Sequence, residues 1–294
     1  MDQETGIFVK SKFPSWLKIR VRVGGQDYAA LQNVLRDAQL HTVCESARCP
    51  NAHDCFTRGT ATFLIMGDRC TRNCRFCAVP HALPDPPDPR EPARVARMAA
   101  RLGLRHVVIT SVTRDDLPDG GARWFAAVIR AVRRQRPEAT IEVLTPDFQG
   151  DRAALRKVLA ARPDVFNHNL ETVRRLQLTI RPQADYDRSL SVLKMAGELG
   201  KGRIRVKSGL MVGLGETDAE IRGALDDLRE AGCEWLTVGQ YLAPSDTHAP
   251  VKRYVTPGTF TRYAQWARER GFTAVASGPL VRSSFHAAEM MADG

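Results

Sequence analysis

The chain has no run of about 18 uninterrupted apolar residues, so no membrane-spanning helix is expected. Its first residues, Met1-Asp2-Gln3-Glu4, are acidic and lead into no apolar segment. A secretory signal is therefore not expected, and a cytoplasmic location is. Internal repeats are lacking, and the one biased tract is Pro84 to Pro92, five prolines in nine residues, which reads as an extended connector. Carboxylates are in deficit: 33 Asp and Glu face 43 Lys and Arg, a formal charge of +10. That surplus fits nucleic acid, an acidic protein partner or a solvated arginine surface, because net charge steers encounter without naming the partner. No RRM, KH or helix-turn-helix signature accompanies it, so nucleic acid is not expected. Cysteine is scarce. Seven residues, an odd number in a 294-residue chain where no secretory segment is expected, make a disulfide framework the least expected reading.

Six of those seven cysteines fall between Cys44 and Cys77. Cys44, Cys49 and Cys55 read C-x4-C-x5-C, and Cys70, Cys74 and Cys77 read C-x3-C-x2-C. Neither triad has an obvious fourth cysteine. Three thiolates on a four-iron cluster leave one iron open to another ligand, and an open iron is where chemistry can occur. Structural zinc is the alternative, since His81 lies four residues beyond Cys77 and could complete a four-ligand site. Cys233 precedes an apolar run and reads as a buried thiol. His106, at a strand start, reads as structural, and Trp124-Phe125 as helix core.

Residues 1–58 have weak periodicity and are polar around their cysteines, as in Glu45, Ser46, Arg48, Asn51, His53 and Asp54. They read as a ligand-bearing extension. From Thr60 onward short apolar runs alternate with amphipathic stretches, the pattern of β/α units. Strands are expected at 60–66, 106–112, 141–145, 165–169, 203–210 and 235–241. Helices are expected near 93–101, 122–136, 152–162, 186–199, 218–231 and 259–270. Thr217-Asp218-Ala219-Glu220 is a capping box, and Thr256-Pro257 places a capping hydroxyl before a proline. Six such units are too few for a closed eight-fold barrel, and a seventh apolar run, 273–277, follows the last helix. The expected fold is α/β, a partial (β/α)6 TIM-type barrel over 59–279, with the extension before it and a tail over 280–294. In such barrels function sits at the C-terminal strand ends. Those ends are polar here: Thr110 and Ser111, then Asn167, His168 and Asn169, then Lys207, then Gln240.

Cys70-Thr71-Arg72-Asn73-Cys74-Arg75-Phe76-Cys77, with its spacing and its aromatic before the last cysteine, resembles the radical S-adenosylmethionine (SAM) enzymes. Gly209-Leu210-Met211-Val212-Gly213-Leu214-Gly215-Glu216 resembles the G-x-I-x-G-x-x-E segment of the same barrels, with Met211 in place of isoleucine. Glycines there let the backbone approach a flat adenine ring. The usual Gly-Gly-Glu after the second strand is replaced by Thr110-Ser111-Val112. The upstream C-x4-C-x5-C triad, Asp115-Asp116 with Asp119-Gly120-Gly121, Phe166-Asn167-His168-Asn169 and Arg282-Ser283-Ser284-Phe285 narrow the likeness to the lipoyl synthase family. It runs from about Cys44 to Ala288. Phe285 stands where that family usually has tyrosine.

The resemblance implies two 4Fe–4S clusters. Cys70, Cys74 and Cys77 would hold the one that binds SAM. Cys44, Cys49 and Cys55 would hold an auxiliary one, with Ser284 or alternatively Ser283 on its fourth iron. Serine is a poor ligand for soft sites, which suits an iron that must leave. SAM contacts would come from Thr110, Ser111, Asn167, His168, Asn169, Lys207, Met211, Gly213, Glu216 and Gln240. The implied reaction inserts sulfur at C6 and C8 of an octanoyl-lysine, with two SAM consumed and the auxiliary cluster as sulfur donor. The implied partners are lipoyl-carrier proteins, such as the E2 lipoyl domains of 2-oxoacid dehydrogenases and the glycine cleavage H protein, and a reductant such as flavodoxin or ferredoxin. The alternatives are a sulfur-inserting radical SAM enzyme of the biotin synthase type and a zinc- or cluster-containing RNA-binding protein.

Overall fold

A computed structural model describes residues 13–17, 33–43, 51, 60–284 and 287–293. Its centre is an eight-stranded sheet in the order β1 to β8. β1 (His41–Thr42) runs antiparallel to β2 (Thr60–Ile65), pairing His41 with Leu64. From β2 onward every neighbour is parallel: β3 (His106–Ser111), β4 (Thr140–Leu144), β5 (Val165–Asn167), β6 (Arg205–Val212), β7 (Trp235–Gln240) and β8 (Ala274–Gly278). The helices that follow these strands are α1 (Glu91–Arg101), α2 (Ala122–Gln135), α3 (Arg152–Leu159), α4 (Gln177–Ile180) with α5 (Tyr186–Gly200), α6 (Asp218–Glu230) and α7 (Pro257–Glu269). α8 (Ala287–Asp293) closes the chain. The strand order is linear and does not return to its start. The expected partial barrel is therefore found, with 274–278 as a further parallel strand beyond six β/α units.

Local chemistry sets the boundaries. Thr217 and Glu220 form a reciprocal capping box, with Thr217 N donating to Glu220 Oε2 at 2.8 Å and Glu220 N to Thr217 Oγ1 at 3.2 Å. Thr256 caps α7 ahead of Pro257 at the first helical position. Two strands differ from expectation. β5 stops at Asn167, because the chain turns at Glu171, whose φ is +68°. β6 runs two residues further, to Val212, and so carries Met211 within the sheet.

Strand alternation divides the side chains. Ile141 and Val143 join the main apolar core beneath the helices. Glu142, between them, turns the other way to a fully buried Lys207, with Nζ 2.9 Å from Oε1. Asn167 Nδ2 donates to the same carboxylate at 3.3 Å, and His106 Nε2 lies 3.4 Å from it. His106 is thus structural, as are Phe125 in the core and the fully buried Cys233. Burial alone would raise the Glu142 pKa, but Lys207 and His106 outweigh it and hold it at about 2, below the ordinary 4.5. A depressed carboxylate contributes stability above its unfolded pKa and loses it as pH falls through the folded one.

Removing one partner of a buried pair leaves the other charge stranded. Lys207→Met is therefore expected to cost about 3–5 kcal/mol at pH 7. Lys207→Met/Glu142→Leu should recover much of that loss. Unfolding curves would check both, and in the parent protein stability should fall as pH drops from 4.5 towards about 2. A single variant as stable as the parent would refute the pair's role.

Candidate active site

The loop after β2 carries Cys70, Cys74 and Cys77 over the C-terminal ends of the strands. Backbone bonds tie it at several points. Thr71 N donates to Thr113 O at 3.1 Å, Arg75 N to Ile180 O at 2.9 Å and Ala249 N to Arg75 O at 2.8 Å. His248 Nε2 lies 3.0 Å from Cys77 O. The strongest tie is Arg72, which is 4% exposed. Its guanidinium reaches Asp115, beyond β3, at 2.6 and 2.9 Å, and Asp147, beyond β4, at 2.7 and 3.0 Å. Arg188 adds a bond to Asp147 Oδ2 at 2.8 Å. Burial alone would lower the Arg72 pKa, but the two carboxylates outweigh it and raise it. Asp147, buried against the same cation, is held well below the carboxylate range.

The donor set fits a soft-metal cluster. The three thiols are half-buried and none is in a disulfide. Cys70 Sγ accepts backbone bonds from Arg72 N at 3.4 Å and Thr113 N at 3.3 Å. Burial raises the Cys74 pKa and pushes Cys77 up to about 12. Such thiols give up their protons to a bound cation rather than to solvent. His81 directs Nδ1 at Cys70 O, 3.2 Å away. Among the described residues no three His, Cys, Asp or Glu side chains converge on a single ion. A cubane spreads its three thiolates over separate irons, whereas zinc gathers four ligands on one ion.

Around the loop lies a ring of polar atoms without partners: Ser111 Oγ, Thr145 Oγ1, His168 Nε2, Asn169 Oδ1, Thr172 Oγ1 and Arg181 Nε. Unpaired buried polar groups are costly, so a cluster of them at one strand-end mouth suits a polar ligand. His168 donates Nδ1–H to Thr145 O at 2.9 Å, which leaves Nε2 as the acceptor. Burial, with Arg181 nearby, lowers its pKa to about 4, so the ring is neutral at pH 7. Met211, from the adenine-type strand, and Phe76, from the cysteine loop, pack into one small apolar cluster with Ile180, Leu214 and Tyr241. Two motifs far apart in sequence thus meet at this mouth.

Other expected contacts have different work. The Lys207 ammonium is committed to Glu142, in the barrel interior. Glu216 accepts from Gly213 N at 2.6 Å and Leu214 N at 2.8 Å, so its carboxylate shapes the glycine turn. Gln240 gives Nε2 to Val212, Tyr241 and Arg253 carbonyls, and its Oε1 accepts from Val255 N at 2.8 Å. Thr110 Oγ1 donates to Leu144 O at 2.8 Å. The polar atoms of Lys207, Glu216 and Gln240 thus meet protein partners in this structure. Asn167 lies below the mouth on Glu142.

The tail crosses the same mouth. Asn169 Nδ2 donates to Ser283 Oγ at 2.6 Å and to Glu171 Oε1 at 3.0 Å. A Cβ at Gly239 would collide with Val281 O, so glycine is what lets the tail lie on β7. Asn51, between Cys49 and Cys55, donates to Leu280 O at 2.6 Å. Cys44, Cys49, Cys55 and Phe285 themselves lie outside the described residues. Sequence reasoning missed Arg72, Asp147, Glu171 and Arg181. An arginine flanked by cysteines gives no hint, without the strand register, that two carboxylates await it.

Arg72→Lys should fail to reproduce the clamp, since one ammonium cannot span two carboxylates bidentately. Positioning partners of metal ligands are typically worth 10–100-fold, so any reaction of a cluster on these thiols should slow by about that factor. The cluster's electron paramagnetic resonance signal should broaden or shift at equal iron content. An unchanged spectrum and rate would remove Arg72 from any positioning role.

The N-terminal domain family of lipoyl synthase matches residues 3–49, and the Radical SAM superfamily matches 64–228. The lipoyl synthase of Rubrobacter xylanophilus is 55% identical over 280 residues, 95% of this chain and 87% of its own. That of Oleidesulfovibrio alaskensis is 56% identical over 276 residues, 94% of each chain. Among solved structures, the FeFe-hydrogenase maturase HydG of Carboxydothermus hydrogenoformans superposes with a TM-score of 0.60 at 13% identity, covering 80% of this chain and 56% of that one. Streptococcus suis SuiB bound to S-adenosylmethionine gives 0.58 at 15% identity, covering 85% and 55%. These two likenesses speak for the fold alone.

Proposed function

The chain belongs to the lipoyl synthase family of the radical SAM superfamily, and from that premise we propose how its residues divide the work. The reaction class is radical SAM sulfur insertion, using iron–sulfur and SAM chemistry on an octanoylated protein. The finer reading is insertion at C6 and C8 of an octanoyl-lysine. Cys70, Cys74 and Cys77 hold the SAM-binding cluster; Cys44, Cys49 and Cys55, with Ser284 or alternatively Ser283, hold a second. When bound, the first supplies an electron that turns SAM into a hydrogen-abstracting radical, and the second supplies sulfur.

The protein's own contribution is position and exclusion. Arg72 fixes the cysteine loop. Met211 and Phe76 offer an apolar surface beside it, suited to a flat adenine ring. Ser111, His168 and Asn169 present unpaired polar atoms suited to the amino-acid end of SAM. The neutral His168 accepts a hydrogen bond without adding charge. The observation that supports the two-cluster reading is the Asn51 to Leu280 hydrogen bond, 2.6 Å, which ties a residue lying between Cys49 and Cys55 in sequence to the serine-bearing tail. Ser283 is engaged by Asn169, while Ser284 Oγ has no side-chain partner among the described residues, which favours Ser284. Carrier proteins such as E2 lipoyl domains or the glycine cleavage H protein present the octanoyl-lysine, and flavodoxin or ferredoxin serves as reductant. No described helix is long and apolar enough to cross a membrane, and we place the enzyme in the cytoplasm on its thiol usage.

Anaerobic incubation of reconstituted enzyme with SAM, reductant and an octanoyl-lysine peptide should give a dithiol product that has gained two sulfurs, and on oxidation to the ring loses two hydrogens. Absence of that product while SAM is cleaved would overturn the reading. Cys74→Ala should abolish 5′-deoxyadenosine formation altogether. Cys49→Ala should keep some cleavage and lose all sulfur insertion, with iron falling from about eight to about four per chain. Lipoyl product from Cys49→Ala would exclude the donor role.

Ser284→Cys should assemble a cluster yet stall, because thiolate holds iron more tightly than a hydroxyl does. The ratio of singly thiolated intermediate to finished product measures this. If Ser283→Ala fails and both Ser284→Cys and Ser284→Ala behave as the parent, the ligand is Ser283.

A further inference from the structure

α2 and α3 lie side by side on the outside of the barrel, and neither contains a carboxylate. Their basic residues are not arranged alike. Several arginines, one of them on α2 itself, are tied down: Arg133, Arg136, Arg174, Arg175, Arg205 and Arg270 each hold a carboxylate at 2.6 to 3.0 Å. Between α2 and α3 runs a groove of about 440 Å³, lined by Arg123, Arg130, Arg156 and Lys157 over Ala126 and Ala160. Arg123, Arg130 and Arg156 are exposed, and their guanidinium groups have no partner among the described residues. Residues seven apart share a helix face, so Arg123 and Arg130 line one wall, with Arg156 opposite. Alanines at the floor leave the guanidiniums standing proud of the surface.

We propose that this groove docks the acidic face of the octanoylated carrier protein, an inference that rests on the carrier-bound substrate argued above. Several free guanidiniums in one place repel one another, and they are balanced most directly by carboxylates brought by a partner. The groove begins at the reaction's own rim. Lys157 Nζ is 3.1 Å from Asp119 Oδ2, and Asp119 also accepts from Arg123 N at 3.2 Å. Asp119 sits in the loop leaving β3 at the mouth. A carrier held along α2 and α3 therefore has its acylated lysine near the strand ends. No aromatic side chain lines the groove, so it lacks the stacking platform of a single-stranded nucleic acid site.

The test compares parent enzyme with Arg123→Glu/Arg130→Glu/Arg156→Glu, both reconstituted, with dithionite as electron source so that no protein donor intervenes. For an octanoylated acidic carrier domain, KM should rise about tenfold or more with kcat retained, and salt should weaken the parent more steeply than the variant. For an octanoyl-lysine peptide, KM and kcat should match the parent. Calorimetric titration of the carrier should show the same loss of affinity without turnover. The Lys triple variant should stay within about threefold of the parent, since charge rather than fork geometry is required. Equal carrier KM in parent and Glu variant overturns the docking site. So does an equal loss with peptide, which marks a fold defect, or, in a second arm where flavodoxin replaces dithionite, an impairment seen only with flavodoxin, which gives the groove to the electron donor. Tighter binding of an RNA oligomer than of carrier, lost in the Glu variant, would do the same. Failure of the parent to convert even the peptide defeats the functional reading itself, whereas calorimetry still reports the groove.

Discussion

The Arg72 guanidinium fastens the cysteine loop to the barrel through four hydrogen bonds to two carboxylates, at 2.6 to 3.0 Å. Taking one guanidinium and Asp147 out of water is expensive, and only near-complete hydrogen bonding makes it tolerable. The planar fork suits this task, because it addresses two carboxylates in one plane. Asp115 and Asp147 leave β3 and β4, so the clamp ties the loop to two strand ends at once. Loop backbone bonds to Thr113, Ile180 and Ala249 then spread the fixation around the mouth. What the thiols can do chemically depends on this restraint, since their positions come from a loop with no secondary structure of its own.

The open barrel follows from the same economy. Seven parallel strands do not close, and the interior is crossed by a polar group, Glu142 with Lys207, Asn167 and His106, rather than filled by aliphatic layers. That network sits below the mouth, where Lys207 Nζ and Asn167 Nδ2 both donate to Glu142. Above it, at the strand ends, Ser111, Thr145, His168 and Asn169 each keep an unpaired polar atom. The division separates what holds the strands together from what remains for a ligand. The tail then lies along β7, where Gly239 removes the steric obstacle, and meets both Asn169 and Asn51.

Much of this was legible in the residues. The capping box at Thr217, the proline start of α7 and the alternation of β and α units specify local structure through local chemistry, and they recur in place. The cysteine loop at the end of the first barrel strand was legible from spacing. Roles that depend on long-range register were not. Lys207, Glu216 and Gln240 have the chemistry of ligand contacts, yet each meets protein partners that only the fold supplies. Arg72 is the converse, a residue whose neighbours in sequence say nothing of its carboxylates in space. β1 was invisible because a two-residue strand has no periodicity to read.

The same distinction applies to charge. A formal +10 says little by itself, because many surface arginines spend their charge on a neighbouring carboxylate. Pairing of that kind cancels the far field and leaves local order. The field that reaches a partner comes from the residue of this cancellation, which collects where two helices carry arginine and no acid. α2 begins at the mouth, with Arg123 in its first turn. A protein that must accept an acyl chain from a large partner gains from this placement. Long-range attraction orients the partner before contact, and the short-range geometry around Arg72 is left to the reacting groups alone.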